Sequence, residues 1–291
     1  MATSVRRSPD RRPSGKAKTE AVSLDLGLRS KVALVTGSTS GVGEAIALRL
    51  AAEGARLMVH GRPGQAEAAS RVAREINLQS ETDADVQLAD LADPSACAAL
   101  IAAVIARYGR IDILVNNAGI SARADLPATD AALFDKLFAV NLRAPLLLIR
   151  AALPHFRHQG GGRVLNIGSI NAYCGEASLL AYSMSQGGLT TMTRNLADAY
   201  GQEGLRVNQI NPGWVLTDHE YRVKVAEGLS PDWPNHIPRG DAPGGRIFRP
   251  DEVAHFAAHF LGAQAELVNG MVFDLEQFPT IGRSPPKPCG L

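Results

Sequence analysis

The 291-residue sequence is poor in cysteine and in aromatic side chains. Its three cysteines, Cys97, Cys174 and Cys289, are widely separated and form no CxxC pair, and Phe, Trp and Tyr make up 5% of the chain. This cysteine usage argues against a disulfide framework and suits a reducing compartment, so we expect a cytoplasmic protein. No apolar core follows the N-terminal charges and no run is long enough to cross a bilayer, so we expect neither a signal peptide nor a membrane span.

The sequence also lacks an excess of charge of either sign. Its formal net charge is +1, and 20% of its residues are charged. This balance gives no reason to expect nucleic acid or a membrane surface as a partner. Residues 1–30 are the exception, because they hold seven Lys or Arg and three acids. They are predicted to form a disordered basic arm, with a targeting or anion-binding role as the alternative. Four prolines in residues 277–291 make a strand or a helix unfavourable in this C-terminal tail.

Residues 31–276 are predicted to form a single domain, because short β-branched runs alternate there with helical stretches. The alternation predicts βαβ units on a parallel sheet. The predicted strands are residues 32–36, 56–60, 85–89, 111–116, 163–167, 206–210 and 270–275. The predicted helices are residues 41–53, 65–79, 94–108, 130–157 with a kink at Pro145, 178–200 and 251–261.

A glycine-spaced turn follows the first predicted strand. Gly37 allows a tight exit from the strand, Gly41 lets the backbone approach a pyrophosphate, and Gly43 lets the next helix pack closely on the strand. The helix N-terminus would face the anion. In this context the turn predicts a dinucleotide site rather than a simple tight turn. The residues predicted to bind the nucleotide there are Gly37, Ser38, Thr39, Ser40, Gly41, Val42 and Gly43.

Two hydroxyl groups mark a candidate catalytic centre. Ser169 follows an apolar run that predicts a buried strand, and Tyr182 and Gln186 lie four residues apart on the helix predicted after it. Four residues make one helical turn, so these two side chains share a face. A hydroxyl at a strand tip that faces a phenol on a helix can bind and protonate a carbonyl oxygen. Cys174, between them, suits either a reactive thiol or a small apolar filler.

Several motifs in a fixed order give the sequence a specific resemblance. They are Thr36-Gly-x-x-x-Gly-x-Gly43, Asn116-Asn117-Ala118-Gly119, Asn141, Ser169, Tyr182 and Asn211-Pro212-Gly213. From about Lys31 to about Glu276 the sequence resembles the short-chain dehydrogenase/reductase family. The resemblance implies an α/β, doubly wound Rossmann fold with a single, mostly parallel seven-stranded sheet and helices on both faces. It also implies Tyr182 as general acid or base, Ser169 as the partner of the substrate oxygen, and Asn141 as organiser of a water relay.

The sequence departs from the family four residues after the tyrosine, where Gln186 stands in place of a lysine. A phenol of pKa about 10 needs a nearby positive charge to act near neutral pH. Gln186 can hydrogen-bond the nicotinamide ribose but carries no charge. We therefore expect an oxidoreductase whose proton transfer is slowed by roughly 10²- to 10⁴-fold. The alternative is a weak or inactive NADP(H)-binding pseudoenzyme or sensor.

The end of the second predicted strand indicates the nucleotide. An acid there would accept the ribose hydroxyls, but this chain has Gly61 followed by Arg62, which can pair with a 2′-phosphate. We expect NADP(H), with NAD(H) less favoured, since the glycine-rich turn supplies no second basic residue. The resemblance adds further nucleotide contacts, namely Asp90, Leu91, Asn117, Ala118, Gly119, Tyr182, Gln186, Pro212, Gly213 and Thr217.

Residues 214–249 correspond to the substrate lid of the family. Trp214 in the lid and Asn171 after Ser169 are candidates to contact the substrate together with Ser169 and Tyr182, although lid aromatics are equally suited to packing. The mixture of aromatic and polar groups favours a sugar- or polyol-like small molecule.

Two further expectations concern assembly and metals. The helices predicted at 130–157 and 178–200 resemble the pair through which relatives form dimers and tetramers, so we expect a homo-oligomer. His255 and His259 are spaced like a metal pair but lack the Glu that a zinc hydrolase needs, so no metal is expected.

Overall fold

The computed structural model describes residues 25–80 and 82–278. Within them one seven-stranded sheet has the order β3-β2-β1-β4-β5-β6-β7, and every neighbouring pair is parallel. The predicted doubly wound α/β fold is confirmed. The strands are β1 (Val32–Val35), β2 (Arg56–Gly61), β3 (Ala84–Leu88), β4 (Ile113–Asn116), β5 (Gly162–Ile167), β6 (Leu205–Pro212) and β7 (Val272–Leu275).

Helices cover both faces of the sheet. They are α1 (Gly41–Ala52), α2 (Ala66–Gln79), α3 (Pro94–Tyr108), α4 (Ala131–Phe138), α5 (Ala144–His158), α6 (Leu180–Tyr200), α7 (Asp218–Ala226) and α8 (Pro250–Leu261). One core cluster packs α1, α2 and α8 on the sheet through residues such as Leu50, Ile76 and Val253. The other packs α3 and α5 on the opposite face through residues such as Ile101 and Phe156.

The centre of the sheet is buried on both faces, which explains its unbroken apolar strands. β1 reads VALV and β4 reads ILVN, and all eight residues are buried. β1 pairs with β2 on one side and with β4 on the other, so the strand order reverses there. In open parallel sheets, ligands bind in the crevice outside the carboxyl ends of the strands at such a reversal. The glycine-rich turn leaves β1 at this point.

The long helix predicted at residues 130–157 is interrupted by a widened turn. A five-residue π-helical segment, Ala139–Arg143, separates α4 from α5, and the amide of Ala144 bonds the carbonyl of Ala139. Pro145 follows directly and lacks the N–H that an ordinary helical ladder would use. The irregularity therefore lies just before the predicted kink, and Asn141 is at its centre. Such π segments often occur at functional sites.

The 28-residue helical run Ala131–His158, which includes the π segment, contains an 18-residue window with a mean hydropathy of 1.4. By length and composition alone it could cross a membrane, contrary to the sequence-based expectation that no such run exists. In the fold, however, Leu148, Ala152 and Phe156 on this run are buried in the core against the sheet. The run therefore has the environment of a core helix.

The packed part of the chain begins before the predicted boundary at residue 31. Leu26 and Leu28 are buried in the cluster that contains α8, and the carbonyl of Leu26 accepts a hydrogen bond from the amide of Ala263. Two apolar side chains in an otherwise polar segment account for this docking. The rest of the predicted basic arm and nearly all of the predicted tail lie outside the described residues.

Candidate active site

The glycine-rich turn has the conformation that its spacing predicts. Gly37 and Gly41 have φ angles of +66° and +58°, a region that side chains disfavour. A Cβ on Gly43 would lie 2.3 Å from both the carbonyl oxygen of Gly37 and Nδ2 of Asn117, so only glycine fits. The side chain of Asn117 donates to the carbonyls of Thr36 and Gly37 at 2.9 and 3.2 Å. The turn and the N-terminus of α1 therefore fit a pyrophosphate.

Two hydroxyl groups of the turn point into the protein. Thr36 Oγ1 accepts from the amides of Asn117 and Ala118, both at 3.0 Å. Ser38 Oγ donates to the carbonyl of Val35 at 2.7 Å, and Ser38 is fully buried. These two side chains hold the turn, and its backbone amides and the exposed Ser40 are left for a nucleotide.

The end of β2 presents a free cation where a carboxylate is absent. Arg62 is exposed, and its guanidinium has no ion-pair partner in residues 25–80 or 82–278. A Cβ on Gly61 would meet Cγ2 of Thr39 at 2.6 Å, so Thr39 closes this position to any side chain. At the end of β3, Asp90 is exposed and Leu91 is buried. The predicted adenosine contacts thus lie at adjacent strand ends.

Ser169 and Tyr182 are brought together as predicted. Ser169 follows β5, is 7% exposed, and caps a short turn by accepting from the amide of Asn171 at 3.2 Å. Tyr182 lies in the first turn of α6, close enough to Ser169 for that hydroxyl to lower the pKa of the phenol. A Cβ on Gly168 would collide with Asn211 Oδ1 at 2.3 Å, so glycine is required where β5 leaves the sheet. The pair can hold one substrate oxygen between two hydroxyls.

Burial governs the acidity of this phenol. Desolvation raises the pKa of Tyr182 above its ordinary value, and the hydrogen bond from Ser169 opposes the rise. No Lys or Arg in the described chain contributes to the shift. Arg194, the basic residue two turns after Gln186 on the same helix, is not among the groups that shift this pKa. At neutral pH the phenol is protonated, which suits a proton donor better than a base.

Gln186 lies one turn after Tyr182 and is 4% exposed. Its side-chain oxygen is buried without a hydrogen-bond partner in the described part of the chain. A buried amide oxygen without a partner is costly, so this position calls for a donor such as a sugar hydroxyl. This matches the predicted contact between Gln186 and the nicotinamide ribose.

Asn141 acts through its side chain as a brace. Its amide accepts from the backbone N–H of Ile120 and donates to the Ile120 carbonyl, both at 2.9 Å. Nδ2 also donates to Ser185 Oγ at 3.1 Å, and that hydroxyl donates to the carbonyl of Tyr182 at 2.7 Å. Asn141 thereby joins the loop after Gly119 to the start of α6. Its predicted role in a water relay stays a prediction.

The lid begins against the glycine-rich turn. Thr217 caps α7 by accepting from the amide of Glu220 at 3.1 Å, and its methyl carbon lies 3.3 Å from an ideal Cβ on Gly41. Pro212 ends β6, and the next residue, Gly213, donates to the Leu275 carbonyl at 2.8 Å. The predicted nicotinamide-side contacts thus converge on the edge of the sheet that carries the turn.

The two further substrate candidates, Trp214 and Asn171, lie outside the pair formed by Ser169 and Tyr182. The Trp214 indole stacks on Trp233 at 5.4 Å and donates to Glu220 at 2.7 Å, so it belongs to a small core inside the lid. Asn171 borders a groove of about 380 Å³ between the loop after Ser169 and the face of α6 that carries Met184. Neither Tyr182 nor Gln186 lines that groove.

Arg123 links the lid to the loop that follows Ser169. Its guanidinium contacts Glu176 of the loop and Glu227 at the end of α7, each at 2.6 Å. Exposed ion pairs of this kind are individually weak, of order 1 kcal/mol or less. The two pairs connect the end of α7 to the loop between Ser169 and Tyr182.

Sequence reasoning missed two residues near the site. Ser185 joins Asn141 to α6, and its position three residues after Tyr182 could have placed it on that side of the helix. Glu276 lies so close to Gly213 that a Cβ there would be 2.4 Å from the carboxylate. Nothing in the sequence indicated that the residue after β7 would reach the end of β6.

Comparison with known proteins agrees with this geometry. The family model for short chain dehydrogenases matches residues 31–227. The chain belongs to the short-chain dehydrogenase family. It is 36% identical to D-threitol dehydrogenase of Mycolicibacterium smegmatis over 263 residues, which cover 88% of this chain and 95% of that protein.

Two solved structures are similar throughout the fold. L-sorbose reductase from Gluconobacter frateurii, in complex with NADPH and L-sorbose, has a TM-score of 0.83 at 27% identity, covering 87% of this chain and 98% of that chain. A 7α-hydroxysteroid dehydrogenase in complex with NADH and 7-oxo glycochenodeoxycholic acid has a TM-score of 0.79 at 28% identity, covering 87% and 95%. Both nicotinamide dinucleotides therefore occur among the relatives of this chain.

Proposed function

We propose that the protein is an NADP(H)-dependent dehydrogenase or reductase that acts on a carbonyl or secondary alcohol of a polar, sugar- or polyol-like small molecule. The observation that carries the proposal is the approach of the Ser169 and Tyr182 side chains to each other, in a chain whose glycine-rich turn is shaped for a dinucleotide. A bound nicotinamide supplies the hydride donor or acceptor. Cytoplasmic location and assembly into a dimer or tetramer through α4 to α6 are part of the same proposal.

In the reduction direction, the chain's own groups manage the substrate oxygen. Ser169 Oγ holds the carbonyl oxygen by a hydrogen bond, and Tyr182 Oη gives its proton to that oxygen as the hydride reaches the carbon. The product is the alcohol, and the phenolate left behind must regain a proton. In oxidation the alcohol proton passes to the Tyr182 phenolate instead. Because Gln186 stands in place of a cation, two proton transfers are slowed. They are the return of a proton to the Tyr182 phenolate after reduction and the ionisation of the Tyr182 phenol before oxidation.

Two observations support NADP(H). Arg62, at the end of β2, has no ion-pair partner in residues 25–80 or 82–278. A carboxylate at position 61 would need Thr39 to move, because Cγ2 of Thr39 lies 2.6 Å from an ideal Cβ there. Support for a polar substrate comes from two relatives whose names specify a polyol and a sugar, D-threitol and L-sorbose. Another relative binds a steroid, 7-oxo glycochenodeoxycholic acid, so apolar ketones are the comparison that tests the substrate class.

The position of Gln186 favours one second candidate, a nucleotide sensor with little or no turnover. Both candidates need the glycine-rich turn, and only the enzyme needs proton transfer by Tyr182.

One experiment separates the two candidates. NADPH and NADH oxidation is followed with a panel of ketoses, including L-sorbose, and apolar ketones. If the protein is the proposed dehydrogenase or reductase, we expect slow oxidation of NADPH with polar ketones. Tight NADPH binding without turnover on any member of the panel would favour the sensor. Faster turnover with NADH, or with apolar ketones, would contradict the nucleotide or substrate part of the proposal.

A further inference from the structure

His60 is a buried titratable side chain to which the reaction assigns no role. It lies near the end of β2, is 1% exposed, and makes one contact through each ring nitrogen. The amide of Gly37 donates to Nδ1 at 3.0 Å, and Nε2 lies 3.2 Å from the carbonyl oxygen of Ala89. A nitrogen that accepts from an N–H carries no proton itself, so the ring is neutral and Nε2 donates to Ala89. The imidazole therefore joins the turn after β1 to the end of β3.

The backbone of His60 is bonded to the same turn. The amide of Ser38 donates to the carbonyl of His60, and the amide of His60 donates to Ser38 Oγ, both at 2.9 Å. The amide of Ala89 in turn donates to the carbonyl of Gly61 at 3.0 Å. The ends of three neighbouring strands are thus tied together at one residue.

Each of these strand ends carries part of the nucleotide site described above. The turn that begins at Gly37 fits the pyrophosphate, Arg62 follows the end of β2, and Asp90 follows Ala89. We propose that His60 is a positioning residue for the adenosine half of the nucleotide, holding the ends of β1, β2 and β3 in the arrangement that receives it. This inference rests on the proposed nucleotide-dependent function.

The ring does more than fill space. An apolar side chain of similar size would leave the amide of Gly37 and the carbonyl of Ala89 without these partners inside the protein. Either group would then turn toward water, and the backbone around Gly37 or Ala89 would move with it. Burial lowers the pKa of His60 to about 4, so the ring keeps its accepting nitrogen at neutral pH. Met58, two residues earlier on the same strand, lies in the core cluster of α3 and α5 and offers a comparison that tests packing alone.

Amide side chains can separate the two ring contacts. In His60→Asn the amide oxygen takes the place of Nδ1 and can accept from Gly37, but the side chain is too short to reach Ala89. In His60→Gln the amide nitrogen takes the place of Nε2 and can donate to Ala89, but the acceptor for Gly37 is lost. His60→Leu removes both contacts, and Met58→Leu is the matched packing control.

The test measures binding of NADPH and of ADP-ribose, which lacks the nicotinamide, together with amide hydrogen exchange in the free proteins. We expect His60→Leu and His60→Gln to weaken binding of both ligands about tenfold, and to speed exchange at residues 36–43. His60→Leu and His60→Asn both lose the contact with Ala89, so both should also speed exchange at residues 89–92. His60→Asn should stay within about threefold of the wild type, and Met58→Leu should match it.

Wild-type binding and exchange in every His60 variant would overturn the inference. If His60→Leu does not fold, the comparison of His60→Asn with His60→Gln decides, and equal effects of the two would contradict the proposed role of the Gly37 contact. A wild-type protein that binds neither NADPH nor NADH would overturn the proposed function, and the exchange data would still decide whether His60 holds the turn.

Discussion

Gln186 follows Tyr182 by one turn of α6, and its side-chain oxygen is buried with no hydrogen-bond partner in the described chain. Desolvation raises the pKa of the Tyr182 phenol, and no cation among these residues offsets it. The site thus keeps the hydroxyl pair that handles a substrate oxygen but lacks the charge that would ionise it. The slow turnover that we propose for this family member follows from this combination.

Restoring a cation at position 186 should accelerate the reaction. Gln186→Lys places an ammonium one turn from the phenol, which lowers its pKa and opens a route for its proton. We expect kcat to rise by roughly 10²-fold or more. Gln186→Met, similar in length and uncharged, is the control and should give no increase. An unchanged or lower kcat in Gln186→Lys would contradict the assigned role of the position.

The two reaction directions should differ in their pH dependence. Reduction uses the protonated phenol, and a pKa raised above about 10 keeps that form dominant throughout the neutral range. Oxidation uses the phenolate, whose population grows about tenfold per pH unit below the pKa. We therefore expect kcat for reduction to be flat between about pH 6 and 8 and kcat for oxidation to climb steadily. A plateau in the oxidation profile near neutral pH would show that the phenol is already ionised there.

Arg62 should determine the choice of nucleotide. Arg62→Ser removes the exposed cation at the end of β2, and we expect the Kd for NADPH to rise by roughly 10- to 100-fold while the Kd for NADH stays unchanged. Arg62→Lys keeps the charge and should retain most of the preference for NADPH. Equal effects of Arg62→Ser on both nucleotides, measured by titration, would rule out a contact with the 2′-phosphate.

His60 should make stability depend on pH. Its pKa is lowered to about 4 by burial, so the unfolded chain binds its proton more readily than the folded one. The stabilisation is complete above about pH 6.5 and is lost as the pH falls toward 4, a change on the order of 3 kcal/mol.

Denaturant unfolding at several pH values should therefore show a shallower acid loss in His60→Asn than in the wild type. The ring contacts only the uncharged groups of Gly37 and Ala89, and the charged side chains on the adjoining segments, Arg62 and Asp90, are exposed. An equal loss of stability in acid for the wild type and His60→Asn would contradict the lowered pKa of His60 as its cause.

Much of the fold could be predicted because local signals and burial agree. The helix at residues 94–108 was placed without error, since Asp93 caps it and Pro94 suits its first turn. The helix α7 was missed because its apolar residues follow no helical period. Thr217 and Glu220 nevertheless have the spacing of a capping box, a signal that was present in the sequence.

The candidate site was predictable where a motif carries it and not where distant segments meet. Ser169 and Tyr182 are only 13 positions apart in the printed sequence, on one strand-to-helix connection, so their approach follows from the order of elements. The contacts of His60 with Gly37 and Ala89 join segments that only the register of three strands brings together. The packing of Trp214 on Trp233 likewise depends on the path of the lid, which no periodicity specifies.

Proton transfer by Tyr182, without a charge from Gln186, is the step on which the proposed activity depends. Tyr182→Phe removes one oxygen and keeps the ring, so turnover of NADPH with a ketose can be compared with NADPH binding in the same variant. We expect kcat to fall by roughly 10²-fold or more while the Kd for NADPH stays within about twofold of the wild type. Turnover by Tyr182→Phe at the wild-type rate would contradict this role of Tyr182.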